Sequence, residues 1–260
     1  MIGPRTSQAE SPGPMLSQDP HPLGAPRAVE PRPALARLFD GRRVHRLRSR
    51  GTLFSEGGER THLFLVVEGL AARIRHLADG TRHVVAFAEP GDLLGLTHWD
   101  AQHAETVEAS WRFAYRSVPI EAAAARLRDD TDLAFDLVAE ALRQNRRMED
   151  LFVRRAHMPS HRILARFLLQ LDRLMGSSPD GVLHLPMLRA DIADHLGFSV
   201  ETASRAFSRL RDLGLAAPLG RGDVRLVDRA GLAALAAEGA SGGPFEDPLA
   251  PDDSGALTTH

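Results

Sequence analysis

The sequence predicts an α+β fold: an N-terminal domain of many short strands (a small barrel or sandwich), a long central helix and a C-terminal winged helix-turn-helix. Three observations predict it. Short β-rich segments separated by glycine turns fill residues 45–118, and a long helical stretch follows over Thr131–His157. Residues Leu185–Leu213, LPMLRADIADHLGFSVETASRAFSRLRDL, then read as two short helices joined by a tight turn. The implied segments are a tail without fixed structure (1–33), the strand-rich domain (34–130), a dimerisation helix (131–158), the winged helix-turn-helix (159–237) and a second tail (238–260).

The tails are rich in proline, glycine and small polar residues without a sustained period. Eleven of the 17 prolines fall within 1–33 and 238–260, which leaves the body an ordinary proline content. In the strand-rich domain, His62–Val67, Leu70–Leu77, Arg82–Phe87 and Trp111–Val118 carry branched or aromatic residues. Gly57-Gly58, Glu68-Gly69, Asp79-Gly80 and Pro90-Gly91 punctuate them as turns, Asp79-Gly80 being the clearest hairpin. From Ile120 the pattern turns helical, and Pro159 ends the long helix. Within it Ala134, Val138, Ala141, Asn145, Met148 and Phe152 alternate in steps of four and three, a coiled-coil seam. Asn145 is the sole asparagine of the chain, and a polar seam residue can fix register and dimeric state. Packing of this helix on its own domain is the competing reading. Ser160 is expected to cap the next helix, whose Ile163, Ala165, Phe167, Leu168 and Leu171 supply a core.

In the helix-turn-helix, Ile192, Ala193 and Leu196 form an apolar side and Gly197 makes the bend. Ser199 stands at the N-cap of the second helix and Gly214 follows its last apolar position. Ala203, Phe207 and Leu210 face inward, leaving Glu201, Ser204, Arg205 and Arg209 outside. Such a helix enters the major groove of double-stranded DNA. Glutamate accepts from cytosine N4, arginine forks onto guanine O6 and N7, and serine reaches several base edges. Glu201, Ser204 and Arg205 are therefore the candidate base readers, and Ser199, Thr202, Arg209 and Arg221 the candidate phosphate contacts. Leu215–Val227 reads as two short strands around Gly220-Arg221-Gly222, a wing that brings Arg221 and Arg225 to phosphate. Asp228 can cap a last helix, Arg229–Ala237. A solvated amphipathic helix pair beside a surface hairpin is the plainer alternative.

Composition narrows the function. The 260 residues have room for two modest domains. They contain no cysteine, which excludes disulfides, thiolate-bound zinc, iron–sulfur clusters and thiol redox sensing. All 32 basic residues are arginine, and net charge is only −2, so any positive potential is local to the arginines recurring from 143 to 229. No apolar run is long enough for a bilayer span, and the N-terminus lacks the order of a secretory signal, so a cytoplasmic location without membrane association is expected. No P-loop, dinucleotide fingerprint, His-Glu-x-x-His or G-x-S-x-G elbow is present, so no catalytic residue is assigned and an enzyme is not expected.

The order β-roll, long helix and winged helix-turn-helix resembles the CRP/FNR superfamily of bacterial transcription regulators. The specific match is LPMLRADIADHLGFSVETASRAFSRL (185–210), similar to the FNR/FixK branch with its E-[ST]-x-S-R recognition helix. A weaker match runs from Gly51 to Leu96, through Glu68-Gly69, Asp79-Gly80 and PGDLLGL (90–96). The resemblance implies a β-roll of cyclic-nucleotide-binding-domain type and a homodimer seamed through Val138, Ala141, Asn145, Met148 and Phe152. It also implies TTGAT-type half-sites in an inverted repeat, with Arg205 on guanine and Glu201 on the paired strand's cytosine. Val200 stands where cyclic-AMP-binding relatives carry arginine. By analogy alone, the β-roll surface at Asp79-Gly80 touches RNA polymerase.

The departures are equally informative. Gly95-Leu96-Thr97 replaces the G-E-[LI] segment that meets ribose, and Glu105 precedes Thr106 where an arginine meets the cyclic phosphate. No cyclic nucleotide, cofactor or metal is therefore expected. The nearest alternative is the same fold gated by haem or nitric oxide, since His45, His62, His76, His83, His98 and His103 lie in the β-roll. A second is a small-molecule-binding module with a structural helix pair.

Overall fold

The computed structural model describes residues 32–96, 102–220 and 222–238. Both expected tails, apart from Arg32, Pro33 and Glu238, lie outside the described residues, as do His98 and Arg221. The chain runs through a short helix α1 (Pro33–Leu38), then β1 (His45–Arg46), β2 (Thr52–Phe54), β3 (His62–His76), β4 (Arg82–Ala88), β5 (Leu93–Leu94) and β6 (Thr106–Pro119). These strands form an antiparallel sheet in the order β1-β6-β3-β4, with β2 also on β6 and β5 on β3. Helices α2 (Ile120–Asp129), α3 (Thr131–His157) and α4 (Ser160–Met175) follow. The last part holds β7 (Val182–His184), α5 (Arg189–Leu196), α6 (Val200–Asp212), β8 (Ala216–Gly220), β9 (Asp223–Leu226) and α7 (Arg229–Ala237). This is the architecture the sequence predicts: β-roll, long helix, winged helix-turn-helix.

Several local expectations need correction. Glu68-Gly69 is not a turn between two strands, because β3 runs unbroken from His62 to His76 along β6. The pairing register shifts on both sides of Glu68, and Gly69 takes φ +84°. A Cβ there would collide with the Trp111 and Arg112 backbone of β6, so the glycine permits a bulge at a close strand crossing. Its partner strand begins at Thr106, well before Trp111. Ser160 does not cap α4: the cap position falls on Pro159, with no side-chain bond. The helix α1 starts inside the stretch expected to be tail, because Asp136 of α3 accepts from Ala34 N at 2.8 Å and Leu35 N at 3.2 Å. These two amides would otherwise lack partners at the helix start.

Apolar packing among the described residues falls into four bodies, the smallest being Ala72, Ile74 and Val84. Leu35, Leu38 and Phe39 close one end of the roll against Leu63, Val118 and Leu133. Val66, Leu94, Val107 and Phe113 fill its interior. The C-terminal core is built on α4, with Leu164, Leu168 and Leu171 against Ile192, Leu196, Phe207 and Leu210. This core also takes in Leu70, Phe87 and Trp111 of the β-roll, so the two halves share apolar interior. A buried ionic cluster joins them as well. After β4, the Glu89-Pro90-Gly91-Asp92 turn places Asp92 Oδ1 2.7 Å from Arg143 Nη2 and 3.0 Å from Arg147 Nη1. Arg143 also binds Glu140 at 2.6 Å, and Gln170 of α4 donates to Glu89 at 3.1 Å. Burial pushes the Glu89 carboxyl above its ordinary range, against the opposing pull of Arg147.

The helix α3 has the bounds expected of it, with Asp130 accepting from Leu133 N at 2.9 Å as its cap. Among the described residues no helix is long and apolar enough to cross a membrane.

Candidate nucleic-acid interface

The helix-turn-helix is built by two matched endings and one capped beginning. At the end of α5, Phe198 N donates to Ala193 O and Gly197 N to Asp194 O, the paired bonds of a Schellman motif. Gly197 supplies the left-handed residue at φ +68°. The same pattern ends α6, where Leu215 N bonds Leu210 O, Gly214 N bonds Arg211 O and Gly214 takes φ +70°. Between them, Ser199 Oγ accepts from Thr202 N at 3.2 Å and opens α6, an N-cap worth about 1 kcal/mol. Ala203, Ala206, Phe207 and Leu210 bury the inner face. On the side of Phe207, the Arg189 guanidinium sits 4.0 Å from the ring centroid, which braces the start of α5 against α6.

The outer face is left bare. Glu201, Ser204, Arg205 and Arg209 are all exposed, and no residue of the β-roll covers them with a hydrogen bond or ion pair among the described contacts. Arg205 Nη2 donates to Thr202 Oγ1 at 3.1 Å, and Ser199 Oγ lies 3.1 Å from Thr202 Oγ1. Two of the four candidate phosphate contacts, Ser199 and Thr202, are thus linked in a chain that ends on Arg205. Glu201 is held below the usual carboxylate range by its own backbone N–H at the helix start, then by the Ser199 hydroxyl and the Arg205 charge. It is a committed acceptor at neutral pH. One turn of helix therefore presents an acceptor, a hydroxyl and a forked donor together.

The wing is a three-stranded sheet, β7-β9-β8, with Asp228 capping α7 through Gly231 N at 2.8 Å. Its third strand β7 is not evident in the sequence, being three residues long and followed by Leu185-Pro186. Arg225 is exposed on β9, whereas Arg221 lies outside the described residues.

On α3 the expected seam residues Val138, Ala141, Asn145, Met148 and Phe152 are all exposed, Phe152 to 72%. Phe135 at 60% and Leu142 at 64% widen the stripe, and both were missed because they fall one position off the seam. A bare apolar stripe along a 27-residue helix is unusual for a monomer surface. Asn145 Nδ2 donates to Glu149 Oε1 at 2.7 Å within its own helix.

In the β-roll, Arg73 Nε meets Glu105 at 2.9 and 3.0 Å, and both side chains are largely buried. Thr106 Oγ1 accepts from Glu56 N at 2.9 Å. The histidines are dispersed: His76 contacts Glu56, His83 contacts Asp194, and His45 stacks on Tyr115. His103 is buried against Phe54 at 3.7 Å between centroids. Among the described residues no group of three or more His, Asp or Glu could hold a metal ion.

Comparison with known proteins follows the same division. A Crp-like helix-turn-helix domain matches residues 164–235, and a cyclic nucleotide-binding domain matches residues 44–113. The nitrogen fixation regulation protein FixK of Bradyrhizobium diazoefficiens is 35% identical over 208 residues, covering 76% of this chain and 83% of that one. The transcriptional activator protein FnrA of Stutzerimonas stutzeri is 28% identical over 192 residues, 71% of this chain and 77% of that one. The structure of FixK2 from Bradyrhizobium japonicum superposes with a TM-score of 0.62 at 30% identity, covering 75% of this chain and 96% of that one. With such identity across most of both chains, this protein belongs to the CRP/FNR family of DNA-binding transcription regulators, on its FixK-like branch.

Proposed function

We propose that two copies of this chain pair along α3 and read an FNR-type inverted repeat with TTGAT-like half-sites, without a cyclic nucleotide. The observation that carries this reading is the outward display of Glu201, Ser204 and Arg205 on one turn of a capped helix. Arg205 takes guanine through its fork, and Glu201 accepts from the cytosine of the opposite strand. Ser199, Thr202 and Arg209 hold the flanking phosphates. Pairing through the bare stripe from Phe135 to Phe152 buries side chains that water otherwise meets. It also gives the protein the two-fold symmetry that an inverted repeat demands.

The β-roll residues do not suit a cyclic nucleotide. Its phosphate needs an unpaired cation, whereas Glu105 occupies that position in the chain and Arg73 is already committed to it. A phosphate there would meet a carboxylate at the cost of a buried ion pair. We read the ion pair as taking the place of an effector, and the Asp79-Gly80 hairpin as the surface offered to RNA polymerase.

Fluorescence anisotropy with labelled duplexes tests the reading. Purified protein is expected to bind the full repeat at least about tenfold more tightly than a single half-site or a scrambled duplex, unchanged by cyclic AMP. Phe152→Glu is expected to yield a monomer in sedimentation and to abolish the advantage of the repeat. Indifference to the repeat would sink the DNA assignment. A Soret band in the purified protein would sink effector independence.

A further inference from the structure

The first helix of the DNA-reading pair is gripped by the β-roll. Arg82 Nη1 on β4 lies 2.5 Å from Asp191 Oδ1 on α5, while its Nη2 is 3.5 Å from Glu108 on β6. The other oxygen of Asp191 accepts from Leu188 N at 3.1 Å, the bond that caps α5. One carboxylate therefore serves both the helix start and the distant strand. Beside it, Val84 N donates to Asp194 Oδ2 at 3.4 Å, and His83 Nδ1 is 3.5 Å from Asp194 Oδ1. Next, the His195 ring packs on Phe87 at 5.1 Å and Phe167 at 5.3 Å, and its carbonyl accepts from Arg155 of α3. Residues 191, 194 and 195 share one face of α5, and that whole face is engaged.

The reading face of α6 stays exposed in this same arrangement. The grip orients the helix pair without hiding it. Beside the apolar interior that the two halves share, the Arg82–Asp191 pair ties α5 to the β-roll at a second place.

We propose that Arg82 is a positioning residue for DNA recognition: acting through Asp191, it fixes the bearing of α5 and hence the separation of the two recognition helices, which sets the preferred spacing between half-sites. This rests on the paired, repeat-binding reading above. Arg82 is the informative position to change, because Arg82→Ala leaves the Asp191 cap on Leu188 in place, whereas a change at Asp191 removes both bonds.

The test has two arms. In the first, anisotropy is measured on repeats of normal spacing and on repeats lengthened or shortened by one or two base pairs. The Arg82 protein is expected to favour one spacing at least about tenfold; Arg82→Ala is expected to bind all of them within about threefold while keeping its guanine preference, and Arg82→Lys to recover part of the discrimination. The second arm needs no DNA. Because the chain has no cysteine, Leu77→Cys with Leu213→Cys takes two spin labels only, and excess unlabelled chain leaves the distance within one protomer. That distance is expected to be narrow with Arg82, broad with Arg82→Ala, and narrow again with Arg82→Lys. An unchanged distance or an unchanged spacing preference in Arg82→Ala overturns the positioning role while the DNA reading stands. A protein that keeps Arg82 yet ignores every repeat overturns the proposed function, and the spacing role with it.

Discussion

Arg205 and Arg209 stand one turn apart on the same exposed face, yet they are expected to fail differently. Arg205→Ala removes a forked donor from a base edge and should cost about 1–3 kcal/mol at the guanine-bearing repeat and little on a duplex lacking that guanine. Arg209→Ala should weaken every duplex alike and reduce the slope of log affinity against log salt by about one per half-site. Titrations at three salt concentrations separate the two; equal losses on all sequences from both variants would contradict the assignment of Arg205. His195 carries a different prediction. Burial between Phe87 and Phe167, then the nearby Arg155 charge, push its imidazole down to about 4, and its Nδ1 has no partner among the described residues. A histidine depressed in the folded state is protonated first in the unfolded chain. Its stability contribution is therefore full above about pH 6.5 and falls as pH drops toward 4. His195→Gln should flatten the fall in melting temperature over that window, measured by circular dichroism.

At the scale of elements, the parts that declare themselves in sequence are those whose signals are local. The helix-turn-helix is legible because Gly197, Ser199 and Gly214 each act within a few residues, and α3 because Asp130 starts it and Met158-Pro159 stops it. The break in register at Glu68 was misread because a bulge needs the same glycine that a turn does. The helix α1 escaped notice because its cap, Asp136, is 102 positions away. The engagement of α5 by Arg82 spans 109 positions and leaves no periodic trace at all. Of the candidate site, the residues could be named but not their linkage from Ser199 through Thr202 to Arg205. Gly197 shows how tight the turn is: a Cβ there would strain a left-handed backbone and run into the Arg155 guanidinium. Gly197→Ala should destabilise the protein by more than about 1 kcal/mol in urea unfolding, with DNA affinity falling alongside.

Across the whole molecule, buried charge rather than apolar area alone ties the β-roll to the helices. Arg143 faces Asp92 from the roll and Glu140 from its own helix, with all three carboxylate and guanidinium groups shielded from water. Arg143→Ala leaves Asp92 with Arg147 as its one cation among the described residues and Glu140 with only the Gln144 amide, and should cost about 3 kcal/mol. Replacement of Arg143 and Glu140 by leucines should be far milder, because the charges leave together. Chemical denaturation of the two variants distinguishes a pair that matters through its members' burial from one that matters through attraction.

The apolar interior that Leu70, Phe87 and Trp111 share with α4 has a consequence for descent by recombination. A reader head cut at Pro159 and spliced onto a foreign sensor would arrive with Phe167 and its neighbours wet, and the donor would keep an equally naked patch. A foreign module would cover that patch only where it brings its own matching strand, so β-roll and reader are expected to work as a matched pair.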